Sequence, residues 1–171
     1  MNLFELQQWL AGLIASEPSA VTHGLVVYNP ANSAAGTGVV IDDGNYPNLP
    51  GREAALSGKG VCFVIAEAEG KSIEDSSRKG SAWMRVGIRV AIEENITLNR
   101  SEAGTRISLD QWIEKIWKQV LGKSPYSTLE QSPPTWGLEP DGNAFTKLGT
   151  EGGTRRCILD FSIRYHIGPN A

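Results

Sequence analysis

The run Trp83-Met84-Arg85-Val86-Gly87-Ile88-Arg89-Val90-Ala91-Ile92-Glu93 puts Met84, Val86, Ile88, Val90 and Ile92 at every second position. That period predicts a half-buried strand, one face toward a core and the other carrying Arg85 and Arg89. Glu94 to Thr105 then breaks the period with turn residues. Ser108-Leu109-Asp110-Gln111 opens a helix as a capping box, in which the Ser108 hydroxyl accepts from the Gln111 amide and the Gln111 side chain reaches back. The helix places Leu109, Trp112, Ile113, Ile116, Trp117, Val120 and Leu121 at the i, i+3, i+4, i+7 spacing and stops at Gly122. Such a stripe must cover a sheet, and the strand, turn and helix together offer no catalytic constellation.

Working outward, Leu3, Leu6, Leu10, Leu13 and Ile14 predict a first helix from Leu3 to Ala15, with Asn2 and Glu5 as a cap pair and Pro18 as its end. Short strands are expected at Gly24 to Tyr28 and Val39 to Ile41. From Asp42 to Gly60 the composition turns to Gly, Pro, Asn and Asp, a long connection that reads as an arm candidate. Val61 to Glu69 alternates Val61, Phe63 and Ile65 with Cys62, Val64 and Ala66, so this strand is expected to be central and covered on both faces. The polar segment Gly70 to Gly80 joins it to the Trp83 strand as the long tip of an antiparallel hairpin. Ser124 to Gly153, with Pro125, Pro133, Pro134 and Pro140, reads as a second long irregular stretch. The last strand, Arg156 to Ile167, sends Cys157, Leu159, Phe161, Ile163, Tyr165 and Ile167 to one face and Arg156, Asp160, Ser162, Arg164 and His166 largely to the other. This order argues for an α+β fold: a mostly antiparallel or mixed sheet with two helices packed on one face, and long loops or hairpin arms.

With 171 residues the chain fits one domain spanning 1–171, and folding at this size buries roughly 70% of the extended-chain surface, enough for a core without staples. Sixteen Lys+Arg against 19 Asp+Glu leave a formal charge of −3, so no overall field draws it to nucleic acid or anionic membrane. Cys62 and Cys157 lie in apolar runs, outside any CxxC or Cys/His cluster, and read as buried reduced thiols, which points to an intracellular setting. The N-terminus has no basic stretch of a secretory signal, and no apolar run approaches the roughly 20 residues of a membrane span. The sequons at Asn95 and Asn99 read accordingly as chance matches in a polar turn.

Motifs that could carry chemistry have plainer readings. Leu121-Gly122-Lys123-Ser124 looks like the end of a phosphate loop, but position 117 is Trp and the run closes a helix instead of opening one. Gly149 to Thr154 precedes a strand, so its glycines read as turn chemistry. His23 and His166 have no nucleophile or ligand cluster at recognisable spacing, and no Gly-x-Ser-x-Gly elbow occurs. The carboxylate pairs Glu67 with Glu69 and Asp42 with Asp43 lack helper residues and read as solvated surface. Arg85, Arg89, Arg156 and Arg164 form a basic stripe, read as intersubunit ion pairs ahead of a solvated face, with nucleic-acid contact last because aromatic interleaving is sparse. Trp83 and Trp136, outside the helix stripes, are candidate interface anchors.

The run Arg85 to Asn95, then Leu98-Asn99-Arg100, Gly104-Thr105 and the Ser108 to Gly122 helix, resembles the central segment of the tail-terminator and tail-completion (neck) proteins of tailed bacteriophages. Ile96 stands where that family carries a proline after the Glu-Asn pair. The resemblance implies a structural virion protein: a homo-oligomeric ring, usually hexameric, that sits on the last ring of the tail tube, stops polymerisation and offers the surface for head joining. Its implied partners are the tail tube protein and the head–tail connector or neck proteins. Its implied location is the virion neck, after synthesis in the host cytoplasm. The residues themselves offer no catalytic set, cofactor site or metal site, and Trp83, Arg85, Arg89, Trp136 and Arg164 are the candidate residues of the subunit or ring interface. A heterologous interface repeated by rotation closes such a ring, and an acidic net charge suits a channel that DNA traverses without specific binding. The alternatives are another phage connector, such as a head-completion or minor tail protein, or a small hydrolase using the arginine face and an acidic residue.

Overall fold

The computed structural model of the chain describes residues 2–28, 38–42, 49–66, 68–78, 81–99, 106–126 and 137–167. In chain order its elements are α1 (Leu3–Ala15), α2 (Pro18–Thr22), β1 (Val39–Ile41), α3 (Leu49–Gly58), β2 (Val61–Ile65), β3 (Glu69–Arg78), β4 (Ser81–Asn95), α4 (Leu109–Val120), β5 (Glu139–Pro140), β6 (Thr146–Glu151) and β7 (Thr154–Ile167). The fold is α+β with a mixed sheet. Its spine is the antiparallel pair β4 and β7, in unbroken register from Ala82↔Ile167 to Asn95↔Thr154. On the outer side of β4, β2 pairs with residues 90–94 and β3 with residues 81–87. β1 adds to β2 in parallel, and β5 and β6 flank β7 end to end.

The alternating patterns become faces. Val86, Ile88, Val90 and Ile92 of β4 and Cys157, Leu159, Phe161 and Ile163 of β7 are buried beneath α1 and α4. Leu6, Leu10 and Ile14 come down from α1, and Trp112, Ile116 and Val120 from α4. Burying each of the larger side chains is worth about 1.5–3 kcal/mol, so this one layer supplies most of the driving force. Trp112, the largest fully buried side chain, meets Phe63 and His23 edge-on, with ring centroids 5.2 and 5.1 Å away. Both expected capping boxes form: Asn2 with Glu5, and Ser108 with Gln111. α4 ends at Val120, followed by Gly122 at φ 73°.

Several expectations need correction. Of the arm candidate Asp42 to Gly60, residues 43–48 lie outside the described residues, and Leu49–Gly58 is no free arm because it forms α3, which packs Ala55 and Leu56 against Val40, Cys62 and Val64. That cluster lies on the sheet face opposite α1 and α4, so helices cover both faces at the β1–β2 end and β2 is sandwiched as its pattern requires. The hairpin tip expected from Gly70 to Gly80 is itself strand: β3 runs to Arg78 along β4, with register shifts at three places. The bulges explain why no clean alternation marks it. The Ser124 to Gly153 stretch contains β5 and β6, and Gly152 and Gly153, both at positive φ, form the two-residue turn of a β6–β7 hairpin. Pro18 does not merely end α1. It opens α2 at the first helical position, where its missing N–H costs nothing, while Glu17 caps by accepting from the Ser19 and Ala20 amides. Between Gly24 and Tyr28 only a single parallel bridge forms, Val27 with Val39. Leu121, counted in the helix stripe, is exposed.

Candidate assembly face of the sheet

β4 and β7 bring Trp83, Arg85, Arg89 and Arg164 onto the face turned away from α1 and α4; Trp136 lies outside the described residues. The register sets Trp83 opposite His166, Arg85 opposite Arg164, Gly87 opposite Ser162 and Arg89 opposite Asp160. Arg85 facing Arg164 is a like-charge pair, which is unfavourable unless each cation finds another partner. Arg85 does so on the Glu139 carboxylate of β5 and donates to Ser162 Oγ at 3.1 Å. Arg164 lies over the Trp83 ring, 5.8 Å from its centroid, a cation–π contact. Arg89 Nε donates to Asp160 Oδ1 at 2.8 Å. A further pair, Lys71 with Asp141, reaches across β4 over Gly87. A Cβ at position 87 would stand 2.4 Å from Lys71 Cε, so the glycine leaves the gap through which the lysine passes.

Lys71, Arg85 and Arg89 therefore meet carboxylates of their own chain, and Arg164 meets the Trp83 ring. Each such exposed pair adds at most about 1 kcal/mol to stability, but together they neutralise a stripe that the sequence presents as basic. Beside them lies an aromatic corner. Trp83 rests on His166, with centroids 4.8 Å apart, and edge-on against Tyr126, whose hydroxyl accepts from the His166 amide at 3.2 Å. Burial pushes the Tyr126 hydroxyl above its ordinary range, so it stays protonated.

At the far end of β4 two consecutive carboxylates point to opposite faces, both buried. Glu93 accepts from Arg52 Nε at 2.6 Å and Nη2 at 3.1 Å, and from Arg156 Nε at 2.7 Å. Glu94, with none of its side chain exposed, accepts from Arg106 Nη2 at 2.9 Å, from Arg155 Nη2 at 2.9 Å and from Asn99 Nδ2 at 2.9 Å. Burial alone would push the Glu94 carboxyl up. The Asn99 amide and the two guanidinium groups outweigh it, and the group sits below its ordinary range.

Asn99 is fully buried, and its amide also donates to the Ile107 carbonyl. Asn95 Oδ1 accepts from the Thr97 and Leu98 amides in an Asx turn. Gly60, at φ +73°, closes the corner from below: a Cβ there would lie 2.1 Å from the Asn99 nitrogen. Glu94, Asn95 and Asn99 are thus the joint between the spine strand and the chain leading to α4. Glu94 opens a run of turn residues in the sequence, and no local motif marks either carboxylate clamp. The usable signal was Glu93-Glu94 ending one strand and Arg155-Arg156 opening its antiparallel partner, which the register makes direct neighbours.

The remaining candidates stay apart. His23 is buried, its Nδ1 bonded to the Ser19 carbonyl at 3.1 Å, and burial holds it below its ordinary range. His166 lies on the opposite face beside Trp83. Cys62 and Cys157 are free and buried; burial first, then the nearby Glu93, pushes the Cys62 thiol up to about 12, far from a reactive thiolate. Glu67 and Asp43 lie outside the described residues. Among the described residues no group of three or more His, Cys, Asp or Glu side chains is placed to hold a metal ion, and no helix is long and apolar enough to cross a membrane. Leu121 to Ser124 follows the C-terminal end of α4, where helix carbonyls rather than free amides face outward. No model of a known protein family matches the chain, and no curated protein matches it significantly.

Proposed function

We propose that the chain is a structural protein of a phage tail, a ring-forming terminator at the end of the tail tube that stops polymerisation and offers the head-joining surface. The observation that carries this reading is the Glu94-Asn95 to Asn99 corner. Of the residues that carry the resemblance, Glu94, Asn95 and Asn99 form a joint that fixes a long strand pair against the chain entering α4, and Arg100, Gly104 and Thr105 lie outside the described residues. The joint holds a scaffold in register. The assembly face adds support, since its cations are satisfied within the chain and leave the Trp83 corner as the part with contact area to offer.

A terminator acts by occupying the growing end. Purified protein added to polymerising tube subunits of the same phage should shorten the tubes in a dose-dependent way, scored by electron microscopy. Tube lengths that do not change with dose would remove the terminator reading and leave a head-completion or minor tail role, which images of particles assembled without the chain would locate.

A further inference from the structure

The sheet has two unlike edges. On one side β3 has no further strand beyond it among the described residues, and on the other side neither do β5 and β6. Backbone N–H and C=O groups left open along an edge are a template for another strand. β3 and β7 both run opposite to β4, while β5 and β6 run opposite to β7. β3 is therefore antiparallel to β5 and β6. β3 lies level with residues 81–87 of β4, β5 with 87–88 and β6 with 91–95, so two copies in the same orientation, one staggered along the strands, bring β3 of one against the β5–β6 edge of the next as an antiparallel pair, the pattern that the sheet already uses at every junction but β1–β2.

The side chains at these edges match. Ile73 pairs with Met84, which belongs to the core stripe, so Ile73 stands on the same sheet side as α1 and α4, and it is 67% exposed. At the opposite edge, on that same side, a groove of about 510 Å³ runs between α4 and the segment joining β5 to β6, walled by Ile113, Trp117, Leu121, Ala144 and Phe145. Like-edge pairing, β3 on β3, would cover Ile73 and leave this groove open; unlike-edge pairing covers both.

We infer that β3 of one copy pairs with the β5–β6 edge of the next, with Ile73 seated at the Trp117–Phe145 groove. The contact is heterologous, so it closes a ring when the stagger is taken up as a tilt of the strands against the ring axis, and the bulges of β3 turn each copy relative to the last instead of extending a flat sheet. The inference rests on the ring-forming part of the function proposed above and names its interface.

Ile73→Lys blocks one edge and Phe145→Lys the other, both at exposed positions that spare the core. Multi-angle light scattering should find each variant unable to form the parent's oligomer, while an equimolar mixture forms a heterodimer and nothing larger, because one intact edge remains on each chain. As an independent measurement, the parent fold carrying Ile73→Cys and Phe145→Cys, oxidised with copper phenanthroline, should give a ladder of disulfide-linked chains that neither single variant gives. Variants that assemble like the parent, a mixture that stays monomeric, or no ladder would overturn the edge pairing. A parent that stays monomeric yet shortens tubes would overturn it too, and leave the tail-end reading standing. Rings of the expected pairing that leave tubes unchanged would uphold it and remove the tail-end reading.

Discussion

Glu94 shows how one side chain ties three segments together: β7 through Arg155, the strand-to-helix connection through Asn99, and the residues before α4 through Arg106. Glu94→Ala should cost about 3 kcal/mol, the low end for breaking a buried pair, because both arginines are about a third exposed and can rehydrate. Chemical denaturation measures it. Acid should act in two stages. His23 is held below 6.5 in the fold, so its contribution is full above that value and declines as pH falls below it. Glu94 is held below 4.5, so its contribution is full above that value and is lost as pH falls through its lowered range. Thermal unfolding from pH 7.5 to 3.5 should show both stages. His23→Phe should remove the upper one, and Glu94→Gln should diminish the lower, to which Asp110 and Glu114, held down by Lys147 and Lys118, also contribute. A parent with flat stability between pH 6.5 and 4.5 would contradict the His23 assignment. Gly60→Ala should be at least as harmful as Glu94→Ala, since it meets both a left-handed backbone and the Asn99 nitrogen.

The elements that were legible in the sequence are those whose residues state their own period. α1, α4, β4 and β7 carry clean 3.6 or 2.0 repeats and side-chain caps, and their bounds follow from Asn2, Ser108 and Gly122. β3 was not legible, because three register shifts scramble its alternation and its residues read as a polar loop. α3 was hidden by the Pro and Gly at its start, and by a stripe of only Ala55 and Leu56 facing a small cluster. Of the candidate site, the shared face of Trp83, Arg85, Arg89 and Arg164 followed from alternation alone. The Arg85 partner Glu139 and the Lys71–Asp141 pair did not, because they come from edge segments whose register no local pattern sets. The Lys71 crossing over Gly87 gives an element-level prediction. Gly87→Ala should displace the lysine and detach β3 from Asp141, so in a double-mutant cycle Lys71→Ala should lose its effect once Gly87→Ala is present. Additive effects would mean that the crossing contributes nothing to holding β3 down.

Among the described residues the charges of the sheet are arranged to cancel locally. The face that looked basic closes on Glu139, Asp160 and Asp141, the corner arginines close on Glu93 and Glu94, and the formal charge stays at −3. A duplex rewards only cations free to displace its counterions, and arginines already held by carboxylates must give up those pairs before they contribute. On the ring reading this is what a DNA passage requires, since each net phosphate contact would add to the work of moving the genome through. The protein, assembled or not, should therefore give no measurable retention of duplex DNA at roughly physiological salt, where a protein making several phosphate contacts would still bind. Lowering the salt should change this little, because few counterions are there to be released. Converting Glu139 and Asp160 together to Gln and Asn frees Arg85 and Arg89 without adding a charge. That variant should acquire salt-dependent DNA binding with a slope of about two released counterions per copy, read by fluorescence anisotropy. Binding by the parent with such a slope would show that the stripe is open to phosphate despite its carboxylates, and would turn the reading of this face from neutral wall to nucleic-acid contact.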